Sequence, residues 1–253
     1  MKFSYGSAWI RFLHPGDVQG AGKLMKALAK DWDRHVIEAE EVARGVGFRE
    51  LRDLILERAE PRSADRAIDL GAGTGLLSLP LAAQVSDLWA IDISPAMCEY
   101  LRVKATSAGL TNVEVAVASA VSLPLVDGAA DLVVSNYCLH HLSNEDKHRA
   151  LREIHRVLAP GGRVVLGDMM FRPALNSSRD RKVLSAKVRA LVRKGPSGVV
   201  RLVKNGARFA AARWEKPVRP EWWGDALIQA GFVAVSVEPL PHEGGIASAK
   251  KPL

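Results

Sequence analysis

The chain has 253 residues, 48% of them hydrophobic and 25% charged, with a formal net charge of +7, the balance of a globular protein with a full buried core. No apolar run approaches the roughly 18 residues of a membrane span, and no secretory signal is visible in residues 1–11. Cys98 and Cys138 form neither a disulfide framework nor a metal-spaced cluster, so a reducing cytoplasm is the expected location.

Residues 16–60 read as helices. Leu24, Met25, Leu28 and Trp32 recur at helical spacing, Val36, Ile37, Glu40 and Val42 do so less regularly, and Phe48, Leu51, Leu54 and Ile55 give an amphipathic run that Pro61 ends. An alternation of strands and helices follows. Strands are predicted over 67–70, 88–91, 113–117, 131–135 and 164–167, with helices starting near Leu76, at Ser94-Pro95 and at Asn144. Ser94 suits an N-cap and Pro95 a first helical position. Pro160-Gly161-Gly162 reads as a turn before the fifth strand. A helix over 221–230 and strands over 232–238 and 246–250 end the chain. Such alternation implies a doubly wound, mostly parallel α/β sheet.

Residues 175–216 interrupt the pattern with twelve Lys or Arg against two acids, +10 where the rest of the chain is −3. This basic insert leaves the carboxyl end of the fifth strand, where open α/β sheets bind ligands. It is read, with the N-terminal helices, as a cap. Its charge fits a solvated helical face, a guide for an anionic small molecule or a nucleic-acid surface. The last is disfavoured because Phe209 and Trp214 are the insert's only aromatic residues for base stacking.

Residues 68–75 read Ile-Asp-Leu-Gly-Ala-Gly-Thr-Gly, and Asp92 closes the next apolar run. The glycines allow a sharp turn and close approach to a ligand. Asp92, an acceptor with two oxygens, can take both hydroxyls of a ribose. Dinucleotide sites carry G-x-G-x-x-G and place a pyrophosphate on the helix N-terminus. Here the spacing is G-x-G-x-G, and Asp69 would repel a pyrophosphate while favouring a cationic group, such as an α-amino group or a sulfonium.

On Asp69-Leu70-Gly71-Ala72-Gly73-Thr74-Gly75 and the acid-ended strand Leu88–Asp92, the chain resembles the class I S-adenosylmethionine-dependent methyltransferases, of the small-molecule type that includes enzymes of quinone biosynthesis. The resemblance implies a seven-stranded Rossmann-like sheet whose last strand runs antiparallel, with S-adenosylmethionine as cofactor. Asp69 would hold the methionine amino end, Gly71, Ala72 and Gly73 would lie against the cofactor, Asp92 would bind the ribose, and Ile93 would pack on the adenine. The family usually has an acid after the third strand. Ser119 stands there, a weaker acceptor, followed by Ala120, whose N–H faces the ring. The backbone of Asn136 and Tyr137 would face the methionine portion. Ser-Asn-Tyr-Cys at 135–138 lacks the signature of nucleobase amino-methyltransferases.

Methyl transfer to a hydroxyl needs a proton acceptor near the transition state, and histidine suits that role near neutral pH. His140 and His141 follow the fourth strand, at the position where similar small-molecule enzymes border the transferred methyl. His140 is the expected base, with His141 as partner or neighbour, and Asp168, ending the fifth strand, orients a histidine or binds a substrate hydroxyl. No metal is called for by the spacing. The chain divides into an N-terminal helical cap (1–60), a cofactor-binding core (61–172), the basic insert (173–218) and a segment completing the core (219–253). The expected activity is methyl transfer to a small-molecule hydroxyl. Carbon methylation of a quinone-type ring and methylation of RNA through the insert are the alternatives.

Overall fold

A computed structural model describes residues 32–171, 178–193, 195 and 216–253. The helical spacing of Leu24, Met25 and Leu28, and most of the basic insert, lie outside them.

After a 3-10 turn at Trp32–His35 come α1 (Val36–Ala43) and α2 (Val46–Ala59). The sheet then alternates with helices through β1 (Arg66–Leu70), α3 (Ser78–Ala82), β2 (Asp87–Asp92), α4 (Pro95–Ser107), β3 (Val113–Val117) and β4 (Ala130–Asn136). A second 3-10 turn, Leu139–His141, leads to α5 (Asn144–Val157), β5 (Leu158–Met169), α6 (Ser178–Val192), α7 (Pro220–Gln229), β6 (Val233–Pro239) and β7 (Gly244–Lys250). The strands form one seven-stranded sheet in the order β3-β2-β1-β4-β5-β7-β6. β1 to β5 pair in parallel, and β7 runs antiparallel to both β5 and β6. This is the doubly wound, mostly parallel sheet expected from the alternation, with the seven strands and antiparallel last strand that the resemblance implies.

The strand order reverses between β1 and β4, which are hydrogen-bonded neighbours with Asp69 opposite Val134. A doubly wound sheet opens a crevice at such a point, outside the carboxyl ends of its strands. Apolar layers cover both faces of the sheet. Leu51 and Ile55 of α2 pack with Leu81, Leu88, Leu132 and Val165 on one side, and Leu151, Ile154, Trp223 and Leu227 of α5 and α7 pack with Ile68, Ile91 and Val133 on the other. Each such fully buried side chain contributes about 1.5–3 kcal/mol, which holds the strand ends rigid.

Ser94 caps α4 as expected, accepting from Met97 N at 3.2 Å, with Pro95 at the first helical position. Two elements differ from the sequence reading. The first helix is shorter and begins at Ser78, because Gly75 sits at φ +89° and cannot be helical. Pro80 is tolerated there since a third helical residue has no intrahelical acceptor for its N–H. β5 is longer than 164–167 and absorbs Pro160-Gly161-Gly162, because residues 161–162 bond along the chain's end (Gly161 N to Lys251 O, 3.1 Å; Lys251 N to Gly162 O, 2.8 Å) rather than turning freely.

Candidate functional site

The loop after β1 is held by β2. Gly71 N and Ala72 N donate to Ile91 O at 2.8 and 3.0 Å. Gly71 is at φ +75°, and a Cβ there would lie 2.2 Å from Cys138 Sγ, so the loop and the end of β4 touch through a position that only glycine fits. A Cβ on Gly73 would meet no atom within 4 Å, which leaves space in front of the loop.

Asp92 faces that space. Its Oδ2 accepts from Gly73 N at 2.8 Å and its Oδ1 from Ser94 N at 2.9 Å. Each oxygen keeps a lone pair, so the carboxylate is oriented and still able to accept two hydroxyls. Asp69 is 1% exposed, and Ser78 Oγ donates to its Oδ2 at 2.5 Å. Burial, reinforced by the charge of Asp92, pushes the Asp69 carboxyl up to about 7. Burial raises Asp92 as well. Two desolvated acids side by side disfavour each other's ionised form, and a cationic ligand relieves both. The residues present therefore fit an aminoacyl sulfonium nucleoside. Ile93, half-buried, follows directly. Ser119 and Ala120 lie in the turn after β3, joined to this corner by Ala118 N donating to Asp92 O at 2.9 Å. The Ser119 hydroxyl accepts from Val121 N at 3.4 Å and so helps shape that turn.

The other half of the site forms at the ends of β4 and β5. Asn136 lies opposite Gly167 in the sheet, and its Oδ1 is buried without a hydrogen-bond partner. Tyr137 takes φ +51°, donates N–H to Gly167 O at 2.8 Å, and sets its ring 4.9 Å from Phe48 and 6.0 Å from His140. His140 Nδ1 lies 2.6 Å from Asp168 Oδ1, both residues being buried. That oxygen also accepts from Met169 N at 2.7 Å, while Oδ2 has no partner. A proton on Nδ1 donated to the carboxylate leaves the lone pair of His140 on Nε2. His141 turns instead toward Trp32, 4.8 Å between ring centroids, and its ring is 4.0 Å from that of His140. It does not cap the following helix, because Ser143 does so, accepting from Asp146 N at 3.1 Å.

The sequence reading thus names residues that the fold gathers at neighbouring strand ends: Asp69, Gly71, Ala72, Gly73, Asp92 and Ile93 at one corner, with Ser119 and Ala120 beside it, and Asn136, Tyr137, His140, His141 and Asp168 at the other. It missed Ser78, Asp33 and Lys147. Asp33 Oδ1 accepts from Ser94 Oγ (2.5 Å) and Ala96 N (3.1 Å), which brings the N-terminal segment onto the Asp92 corner, and those bonds hold its carboxyl below the usual carboxylate range. Lys104 ties the same segment to the glycine loop, donating to Glu40 and to Thr74 O at 2.9 Å each. Lys147 had a visible signal. It stands three, four and seven residues before Ala150, Leu151 and Ile154, in register with the buried stripe of its helix. Met170 and Phe171 are core residues. Among the described residues, no group of three or more His, Cys, Asp or Glu is arranged to hold a metal, and no helix is long and apolar enough to cross a membrane.

Residues 67–162 match the methyltransferase domain family. The chain is 35% identical over 157 residues to a malonyl-[acyl-carrier protein] O-methyltransferase of Halorhodospira halophila, covering 60% of this chain and 50% of that protein. It is 39% identical over 116 residues to a demethylmenaquinone methyltransferase of Thermus thermophilus, covering 45% and 50%. The chain spans about half the length of the curated relatives it matches. Its fold is shared by a SAM-dependent methyltransferase from Aquifex aeolicus, with a TM-score of 0.56 and 20% identity over 79% of this chain and 88% of that one. The glycine loop and its two acids fall within the matched residues, so the chain carries a methyltransferase domain over residues 67–162, and S-adenosylmethionine is the cofactor that this domain implies.

Proposed function

We propose that this chain methylates a hydroxyl oxygen of a small molecule, with His140 as the base. The observation that carries the reading is the buried His140–Asp168 pair, 2.6 Å apart, at strand ends that adjoin the acid-lined glycine loop. The cofactor supplies an electrophilic methyl carbon on a sulfonium. Asp69 and Asp92 would hold its amino and ribose groups, with Gly71, Ala72, Gly73, Ile93, Ser119, Ala120, Asn136 and Tyr137 lining the remainder. Asp168 would fix the His140 tautomer so that Nε2 could take the hydroxyl proton as the oxygen bonds to the methyl carbon and the carbon–sulfur bond breaks, leaving a neutral thioether. Trp32 beside His141, and Tyr137 beside His140 with Phe48 against it, form an aromatic wall for the acceptor. In this reading residues 1–60 and 173–218 cap the acceptor side of a core made by 61–172 and 219–253, in the cytoplasm.

The charge of residues 175–216 supports an anionic acceptor. Arg179 is not available to bind it, because its guanidinium donates to four backbone carbonyls, those of Met170, Leu240, His242 and Gly244, at 2.7–2.9 Å. The test is an acceptor screen with methyl-labelled cofactor, followed by His140→Ala. Turnover should fall by about 10²–10⁴-fold with cofactor affinity unchanged. Unchanged turnover would remove His140 from the chemistry. The similarity to a demethylmenaquinone methyltransferase favours a second reading, carbon methylation of an activated ring, which a product spectrum showing a C-methyl instead of an O-methyl resonance would establish. Uptake of RNA that weakens steeply with salt would replace both.

A further inference from the structure

Lys147 is fully buried, an environment lysine almost never occupies unless paired. Its ammonium donates to Leu142 O and to Lys216 O, each at 2.7 Å, and stands 6.0 Å from the Trp222 ring. Two of its contacts lead back to the proposed base. Lys216, at the far end of the basic insert, donates its N–H to His140 O at 2.7 Å, and Leu142 lies two residues beyond His140. Asp168, whose Oδ1 holds His140 while Oδ2 has no hydrogen bond, attracts the ammonium electrostatically, as does Asp146.

We propose that Lys147 is a positioning residue for His140: its buried ammonium clasps the chain at Lys216 onto the His140 turn through the Leu142 and Lys216 carbonyls. The proposal rests on the reading of His140 as the base. An ammonium with two carbonyl acceptors fixes both strands of chain that flank the imidazole. Removing it strands two buried carbonyls, which is costly, so the turn would shift to find water. The site also couples the insert to the base. Anything that pulls residue 216 away from α5 breaks a bond to the His140 carbonyl. Burial lowers the lysine to about 8, opposed by Asp168 and Asp146 and reinforced by Lys216. The titratable groups around His140 itself are Asp168 from β5 and His141 and Tyr137 from its own turn.

The experiment is NMR of the full chain, following the downfield Nδ1 proton of His140, assigned by its loss in His140→Ala. In Lys147→Met that resonance should broaden or vanish, while the affinity for adenosylhomocysteine stays within twofold of the wild type. A folded Lys147→Met protein with the resonance unmoved overturns the proposal. If the variant does not fold, the wild type decides. The 13Cε signal of Lys147 and the His140 resonance should change together as pH rises through about 8, and a His140 resonance indifferent to the lysine's titration overturns the proposal equally. Turnover of His140→Ala tests the parent reading separately. If it stays high, His140 is not the base, whatever the resonance does.

Discussion

The two corners of the site are built differently. The cofactor corner is centred on one contiguous stretch, Asp69 to Ser94, in which a strand, a loop and the next strand orient one another through hydrogen bonds of the backbone, with Ser119 and Ala120 joined to it from the turn after β3. The acceptor corner collects Trp32, Phe48, His140, Lys147, Asp168 and the backbone at 216 from across the chain. A local motif can be kept while the distant parts change. The matched methyltransferase domain, 67–162, holds the glycine-loop corner whole, whereas Trp32, Phe48, Asp168 and residue 216 of the other corner lie outside it.

Single substitutions should separate the corners. His140→Gln retains a donor for Asp168 but has no basic nitrogen, so turnover should drop about 10²–10⁴-fold while calorimetry with adenosylhomocysteine shows the wild-type affinity. Asp92→Ala should do the reverse. Two charge-assisted bonds to the ribose disappear and Gly73 N loses its acceptor, weakening adenosylhomocysteine by about 100-fold. If both variants lose binding and turnover alike, the corners are one unit and the division fails.

The same difference explains what the sequence disclosed. Asp69, the glycines, Asp92 and the Ser94 cap were legible because their partners lie within a few residues or one strand–helix step. The doubly wound, mostly parallel sheet followed from the alternation and from connection rules, and the antiparallel last strand only from the family resemblance. The His140–Asp168 pairing was legible only as adjacency of strand ends; its geometry depends on β4 and β5 being in register at Asn136 and Gly167. Ser78 was missed because a serine in a first helical turn has many ordinary roles. Asp33 was missed because its partners are 61 and 63 residues away, beyond any local pattern.

A smaller effect probes the cofactor corner by pH. The folded Asp69 carboxyl is raised to about 7 from an ordinary 3.8, so in the ligand-free protein it contributes stability below about 4 that is lost as pH rises through 7. A cationic ligand prefers the ionised acid. S-adenosylmethionine should therefore bind more tightly as pH rises from 5.5 toward 7, by at most about tenfold per unit, and level off above it. Proton release on binding, measured by calorimetry in buffers of different ionisation enthalpy, should be largest on the acid side of that range. Ser78→Ala removes a hydrogen bond that favours the charged form, so the plateau should move to higher pH. A pH-independent affinity would mean Asp69 does not face the ligand's cationic groups.

The smallest expected change tests whether the N-terminal segment belongs to the cofactor corner or the acceptor corner, since it touches both. Asp33 holds Ser94 and the first turn of α4, and Trp32 lies against His141. Ser94→Ala removes the N-cap and one anchor of Asp33 together, with an expected loss of about 1 kcal/mol in stability, read as a lowered thermal midpoint. If the segment serves the nucleoside, Ser94→Ala should also weaken adenosylhomocysteine severalfold, and Trp32→Ala should not. If it serves the acceptor, the order inverts: Trp32→Ala raises the acceptor KM while nucleoside affinity holds. The hydrogen bonds at Ser94 favour the first outcome for Asp33 and the ring contact favours the second for Trp32. Neighbouring residues on one 3-10 turn would then report on different halves of the crevice, making residues 32–35 the physical bridge between them.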